Sequence, residues 1–352
     1  PPLLLRPERR TAVLFLSLGR KLVRTMKNKD IFTFRDAEKQ AGPVAFSTML
    51  KPAGSACNLD CGYCYYLDKA VQYGGRQAVM SDELLELYVK QYIEANEVPT
   101  VQFCWHGGEP LLLGVDFYRK AMDFQQKYAD GKKIENILQT NGTLVDEAWC
   151  DLFAGNNFLV GISLDGPQDI HDAFRLTKGG RPTFERVMRT IEMFQRSGVE
   201  YNTLSVVNRL CEGRGGEIYR FFRDTVHSKY MQFLPAVEHV VDKPGFHRPL
   251  IVSPDREGAR LAEWSVTAKG YGGFLCDVFD VWVVSDVGRT FVQMFDATLA
   301  QWCGVPPGVC SMGETCGDAL VVEHNGDVYS CDHFVYPEYK LGNIAQTPLD
   351  EI

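Results

Sequence analysis

Three cysteines fall within eight residues, Cys57-Asn58-Leu59-Asp60-Cys61-Gly62-Tyr63-Cys64, in a C-x3-C-x2-C spacing. Thiolates this close, on a loop that contains Gly54, can wrap one metal cluster. Structural zinc usually takes four ligands as two pairs, and no partner pair lies nearby. Three cysteines on a four-iron cluster leave one iron without a protein ligand, which is what a substrate-binding cluster requires. Three buried cysteines with no metal is the competing reading, and the spacing argues against it. A second group follows late in the chain: Cys310, then Cys316, then Cys331 directly before Asp332. A hairpin between the last two would fold back and gather distant cysteines, again a plausible cluster geometry, with zinc or unliganded thiols as alternatives.

The elements that must hold these residues follow from the patterning. Apolar strand candidates at Val44–Leu50, Thr100–Trp105, Glu135–Gln139, Phe158–Leu164, Tyr201–Val207 and Tyr230–Leu234 alternate with amphipathic segments. Those segments are Ser81–Ala95, Val115–Tyr128, Asp146–Ala154, Thr183–Ser197 and Gly216–Asp224. Such alternation means βαβ units, a parallel sheet and right-handed crossovers. Six repeats are too few to close an eight-stranded barrel, so the expected fold is α/β, an open, curved partial barrel. The expected organisation is an N-terminal extension over 1–43, the barrel over 44–253, a helical linker over 254–302 and a cysteine-rich domain over 303–352. In that last part, Ala319–Glu323 and Val328–Ser330 flank an Asn325-Gly326 turn and read as a hairpin.

In a parallel α/β sheet, chemistry sits at the carboxyl ends of the strands. There the chain places Cys57, Cys61 and Cys64, then His106-Gly107-Gly108-Glu109-Pro110, Gln139-Thr140-Asn141-Gly142-Thr143 and Ser163-Leu164-Asp165-Gly166-Pro167. Asp165 reads as a hydrogen-bonding ligand residue or as a turn or helix cap. His171 reads first as a packed structural histidine. Arg175 suits a surface ion pair or, as a fixed cation, a bound carboxylate.

Composition narrows the class. The 352 residues are 45% hydrophobic and 23% charged, near the globular average, with a net charge of −8. The acidic balance, without a long basic run, argues against a nucleic-acid partner, and no stretch of about 18 apolar residues exists to span a membrane. Eleven cysteines, an odd number in a chain too long to need disulfides, point to a reducing, cytoplasmic setting. Residues 1–25 carry a net charge of +5 around a short apolar run but no small-residue cleavage site, and read as an extension before a start at Met26.

The cysteine motif, with an aromatic before its last cysteine, resembles the radical S-adenosylmethionine (SAM) enzymes. In that superfamily the open iron binds SAM, and an electron from the reduced cluster cleaves it to methionine and a 5′-deoxyadenosyl radical. The resemblance implies a partial (β/α)6 barrel, the fold the strand pattern already suggests. The segment from Cys310 is similar to the start of a twitch/SPASM extension. The Tyr65-Tyr66 pair, the Gln-Thr-Asn-Gly-Thr and Leu-Asp-Gly-Pro segments, Cys331-Asp332-His333-Phe334-Val335-Tyr336 and Leu341-Gly342-Asn343-Ile344 narrow the likeness. It is to the anaerobic sulfatase-maturating enzymes, from about residue 47 to the end.

That resemblance implies oxidation of a sulfatase's active-site Cys or Ser to Cα-formylglycine without oxygen. It implies that Cys57, Cys61 and Cys64 hold the SAM cluster and that Tyr63, Gly108, Ser163, Arg175 and Val237 contact SAM. It implies further that Cys310, Cys316 and Cys331 begin an auxiliary [4Fe-4S] cluster and that Asp332 is the general base. Implied partners are the sulfatase polypeptide and a reducing electron donor such as flavodoxin or ferredoxin. Tyr66 reads as a wall of the peptide pocket or as a core aromatic.

Two departures stand out. The family places further cysteine ligands beyond residue 352, so the chain reads as cut short inside its second iron–sulfur domain. Cys104, Cys150, Cys211, Cys276 and Cys303 are left as structural or free thiols. His106 stands where the family leads one to expect Gln. The rival readings are another SPASM-type peptide modifier, such as a thioether-forming maturase, and a non-catalytic iron–sulfur electron carrier.

Overall fold

The computed structural model describes residues 45–73, 79–242, 248–314 and 319–352. The expected extension over 1–43, the start at Met26 and the expected ligand Cys316 lie outside the described residues. Six parallel strands stand side by side in chain order: β1 (Ser47–Lys51), β2 (Thr100–Trp105), β3 (Lys133–Thr140), β4 (Leu159–Ser163), β5 (Glu200–Val207) and β6 (Tyr230–Pro235). Helices α1 (Asp82–Ala95), α2 (Val115–Tyr128), α3 (Glu147–Gly155), α4 (Gln168–Phe174), α5 (Phe184–Ser197) and α6 (Gly215–Arg220) fill the crossovers.

The period of burial explains the layers. In β2, Val101, Phe103 and Trp105 are buried while Gln102 and Cys104 are less so, the two-residue alternation of a strand. In α1, Leu85, Tyr88, Val89, Tyr92 and Ile93 make a buried stripe, the helical repeat. Stripe and strand meet in an aromatic stack, with the Tyr92 and Phe103 rings 5.1 Å apart and the Tyr88 and Phe103 rings 5.9 Å apart. The helix starts carry their own signals: the side chain of Ser81 accepts from the Leu84 N–H, and that of Asp146 from the Trp149 N–H.

The stretch 254–302, expected to be mostly helical, contains α7 (Ala268–Ser285) and α8 (Gln293–Trp302) and two short strands. The strand Arg260–Leu261 joins His239–Val241 and Leu250–Val252 in a small antiparallel sheet, and Phe291–Val292 pairs in parallel with Tyr230–Met231 at the barrel's edge. In chain order these are β7 (His239–Val241), β8 (Leu250–Val252), β9 (Arg260–Leu261) and β10 (Phe291–Val292). A two-residue apolar run has no period, so only its partner strand declares it. Helix α4 also went unread, being a seven-residue segment between Pro167 and Arg175.

The hairpin forms from β11 (Ala319–Glu323) and β12 (Asp327–Tyr329), with Gly326 at φ +83° in its turn, a conformation glycine adopts without strain. It does not stand apart from the barrel. Strand β11 pairs in parallel with β1 from Ser47↔Ala319 to Lys51↔Glu323, and β13 (Lys340–Asn343) completes the edge. The resulting ten-stranded sheet, in the order β10-β6-β5-β4-β3-β2-β1-β11-β12-β13, is open, and sets the hairpin alongside β1, with Glu323 beside Lys51.

Candidate functional site

Lys51 ends β1, and the cysteine loop follows it. The loop is tied down by backbone bonds from both sides. The Asp60 N–H donates to Leu176 O at 2.9 Å and the Gly62 N–H to Phe174 O at 3.1 Å, so the far end of α4 straps the loop. Cys61 is buried with Leu59 and Tyr63, and Cys57, Cys64, Phe174, Val206 and Trp264 pack around them. The Cys57 sulfur receives the Leu59 N–H at 3.4 Å and the Asn141 amide at 3.8 Å. Burial pushes the Cys57 thiol up to about 12 and raises Cys61 and Cys64 as well, with Arg175 pulling the latter two the other way. Thiols so desolvated become thiolates when a metal centre supplies the compensating positive charge.

The segment after β2 locks onto this loop. The Gly108 N–H donates to Gly54 O at 2.8 Å and the Glu109 N–H to Ala56 O at 2.7 Å. A Cβ on Gly108 would lie 2.1 Å from Ala56 O, so only glycine permits the approach. Glu109 is fully buried and accepts from the N–H groups of Leu111 and Asn141 and from the Thr140 hydroxyl. Burial raises its carboxyl to about 7 against those three bonds. By gripping the Asn141 backbone it aims that residue's amide at Cys57, a role its place in Gly-Gly-Glu-Pro did not announce.

Asp165, past the end of β4, is the hub of the next layer. Its carboxylate accepts from the Tyr63 hydroxyl, from Arg175 Nη2 at 3.0 Å and from the Val206 N–H at 3.0 Å. The Arg175 guanidinium lies 5.6 Å from the Tyr63 ring centre, and its buried Nε has no hydrogen-bond partner. Ser163 accepts from the Gln139 amide at 3.0 Å. Val237, just past β6, is half exposed. His171 is buried, its Nδ1 facing the Asp165 N–H at 3.4 Å and its Nε2 the Thr183 hydroxyl at 3.0 Å. Burial lowers it to about 4, so it is a neutral packing residue.

The second layer comes from the hairpin. Asp332, in the turn after Cys331, is gripped by the Lys51 ammonium on Oδ1 and the Tyr65 hydroxyl on Oδ2. Burial alone would raise its carboxyl, but the Lys51 charge, His106 and both hydrogen bonds hold it well below the usual carboxylate range. Beside it, the Tyr66 hydroxyl reaches both Glu323 oxygens, at 2.7 and 2.8 Å, which makes Tyr66 a buried brace of the hairpin. Lys51, Tyr65 and Glu323 were missed, because a strand-end lysine and a buried strand glutamate carry no local motif. Cys331 is partly buried and Cys310 exposed. Of the unassigned thiols, Cys150 and Cys211 are buried, Cys104 is partly buried, and Cys276 and Cys303 are exposed.

The donor set fits a cluster with SAM. Three thiols share one strapped loop, N–H groups point at the Cys57 sulfur, and a buried guanidinium nitrogen is left without a partner. Among the described residues no three His, Cys, Asp or Glu converge as one ion would need; a multi-iron cluster instead spreads its cysteines over several irons. A cavity of about 930 Å³ opens elsewhere, at the amino ends of the strands between Lys133, Glu200, Tyr230 and α8.

These features define a radical SAM enzyme. A radical SAM superfamily model matches residues 52–211, and SPASM, an iron–sulfur cluster-binding domain, matches residues 310–352. A serine-type anaerobic sulfatase-maturating enzyme of Bacteroides thetaiotaomicron is 50% identical over 86% of this chain and 73% of its own. A cysteine-type enzyme of the same name from Clostridium novyi is 36% identical over 88% of this chain and 79% of its own. The solved structure of native anSMEcpe with bound AdoMet and Cp18Cys peptide aligns at a TM-score of 0.74 and 34% identity, covering 87% of this chain and 79% of that one. The chain belongs to the anaerobic sulfatase-maturating enzymes. No helix among the described residues is long and apolar enough to cross a membrane.

Proposed function

We propose that the chain oxidises an active-site Ser or Cys of a sulfatase polypeptide to Cα-formylglycine, with Asp332 as the general base. Cys57, Cys61 and Cys64 would hold the SAM-binding cluster, and Tyr63, Gly108, Ser163, Arg175 and Val237 would line SAM. Bound there, cluster and SAM together supply a hydrogen-abstracting radical. Cys310, Cys316 and Cys331 would begin the auxiliary cluster, in a domain division of barrel to 253, linker to 302 and auxiliary domain beyond. The electron donor is a low-potential reductant of the flavodoxin or ferredoxin kind, in the reducing cytoplasm that unpaired thiols need.

The observation that carries this reading is the partly buried Asp332 carboxylate beside Cys331, held by Lys51, the last residue of β1, and by Tyr65. Turning an alcohol or thiol into an aldehyde or thioaldehyde removes a hydrogen atom from Cβ, a proton from oxygen or sulfur, and one further electron, for which the auxiliary cluster that Cys310, Cys316 and Cys331 would begin would be the acceptor. Loss of the Cβ hydrogen makes the neighbouring O–H or S–H more acidic, and a carboxylate fixed within hydrogen-bond reach can take that proton. Arg175, its Nη2 on Asp165 and its Nε unengaged, is oriented to receive the SAM carboxylate.

The test uses full-length protein, reconstituted anaerobically with iron and sulfide and given SAM, reductant and a sulfatase-motif peptide. Aldehyde is weighed by mass spectrometry and set against 5′-deoxyadenosine. Asp332→Asn should lower aldehyde per SAM cleaved by about 10²-fold or more; an unchanged ratio would remove Asp332 from the role. Wild-type protein that makes 5′-deoxyadenosine but no aldehyde would overturn the formylglycine reading.

A further inference from the structure

Lys51 is wholly buried, and an ammonium is kept out of water only where partners compensate it. Three groups surround it. Its Nζ meets Asp332 Oδ1 and lies 3.6 Å from the centre of the Tyr66 ring. Glu323, its neighbour across the β1–β11 ladder, is engaged by the Tyr66 hydroxyl through both oxygens. The lysine is therefore turned to Asp332, and Tyr65 takes that carboxylate's other oxygen. The two donors arrive from the barrel, at the two sides of the cysteine loop, while the carboxylate arrives from the hairpin segment. With one oxygen fixed by each donor, the carboxylate's plane is set by the barrel and not by its own turn.

We propose that Lys51 is the positioning residue for the base of this reaction, locking the Asp332 carboxylate, together with Tyr65, in the orientation from which it takes the substrate proton. The proposal rests on the reading of Asp332 as the base. Lys51 neither touches the cysteine loop's sulfurs nor transfers a proton in this role; it acts through Asp332. A carboxylate displaced by about 1 Å loses about 10²-fold in rate, and that loss falls on the proton-transfer step alone.

The readout is aldehyde formed per 5′-deoxyadenosine in full-length reconstituted enzyme, with iron content and the cluster's electron paramagnetic resonance signal confirming loading. Lys51→Met should lower the ratio by about 10²-fold, and Lys51→Arg, which keeps a charged donor, should restore most of it. Adding Lys51→Met to Asp332→Asn should cause no further loss. The double variant removes both members of the Lys51–Asp332 pair together, so it and Lys51→Arg decide the matter if the single Met variant does not load iron. A wild-type ratio in Lys51→Met, no recovery in Lys51→Arg, or a further drop in the double variant overturns the proposal. If Asp332→Asn itself keeps the full ratio, the base reading fails; if it loses the ratio while Lys51→Met keeps it, only the role of Lys51 fails.

Discussion

Arg175 places Nη2 3.0 Å from Asp165 Oδ1 while its buried Nε meets no partner. The pair leaves a fixed guanidinium face with hydrogen-bonding capacity to spare, next to the Tyr63 ring and the cysteine loop. A guanidinium buried without a full complement of acceptors is costly in a finished protein and well suited to a ligand site.

Removing the charge of Asp165 tests this arrangement. Asp165→Asn keeps the shape but leaves Arg175 without its counter-ion and weakens the hold on Tyr63. Breaking a buried pair in this way should cost about 3 kcal/mol of stability. SAM affinity should fall by about tenfold or more, since a misplaced Arg175 loses a charge-assisted bond. Guanidinium unfolding and equilibrium SAM binding check the two effects, and unaltered SAM affinity would count against Arg175 as a SAM contact.

Gly108→Ala asks whether the strap across the cysteine loop is required. The added Cβ would sit 2.1 Å from Ala56 O, so backbone must move. The expected cost is about 1–3 kcal/mol, with incomplete cluster loading because the moved segment is the one that carries Cys57. Iron per chain after reconstitution and the thermal midpoint measure it. Full iron loading at an unchanged midpoint would show that the loop relaxes freely.

His171 predicts a pH dependence of stability. Burial lowers its folded value to about 4 from an ordinary 6.5. Between those values the unfolded chain binds a proton that the folded chain refuses, so stability is fully present above about 6.5 and is lost as pH falls toward 4. The expected contribution is about 3 kcal/mol over that window. Denaturant midpoints from pH 7 to pH 4 should fall less steeply in His171→Asn than in the parent. Glu109, raised to about 7 by burial, contributes with the opposite sign, because its folded form holds a proton the unfolded chain releases above about 4.5.

Much of the architecture was legible because its causes are local. The two-residue alternation of β2 and the helical stripe of α1 are properties of consecutive residues, and Ser81 and Asp146 announce helix starts by the bonds their own side chains make. The spacing of Cys57, Cys61 and Cys64 is likewise a local fact with one chemical reading. What escaped is what depends on a partner far along the chain. The strand β10 exists only because Tyr230–Met231 offers it an edge. The local pattern around Asp165 fits a turn residue and a ligand residue equally, and its role follows only from Tyr63, Arg175 and Val206, which share its two oxygens.

The sequence by itself determined the chemistry available to this protein: three thiolates on a loop behind a strand, a parallel α/β frame, and a carboxylate directly after a late cysteine. Only the tertiary structure decided how those groups meet. Pairing β11 with β1 sets Lys51 beside Glu323 and within reach of Asp332, a contact between residues 281 positions apart. No local pattern encodes such a contact, because it arises from the order of strands in the sheet and from the need to neutralise a buried ammonium.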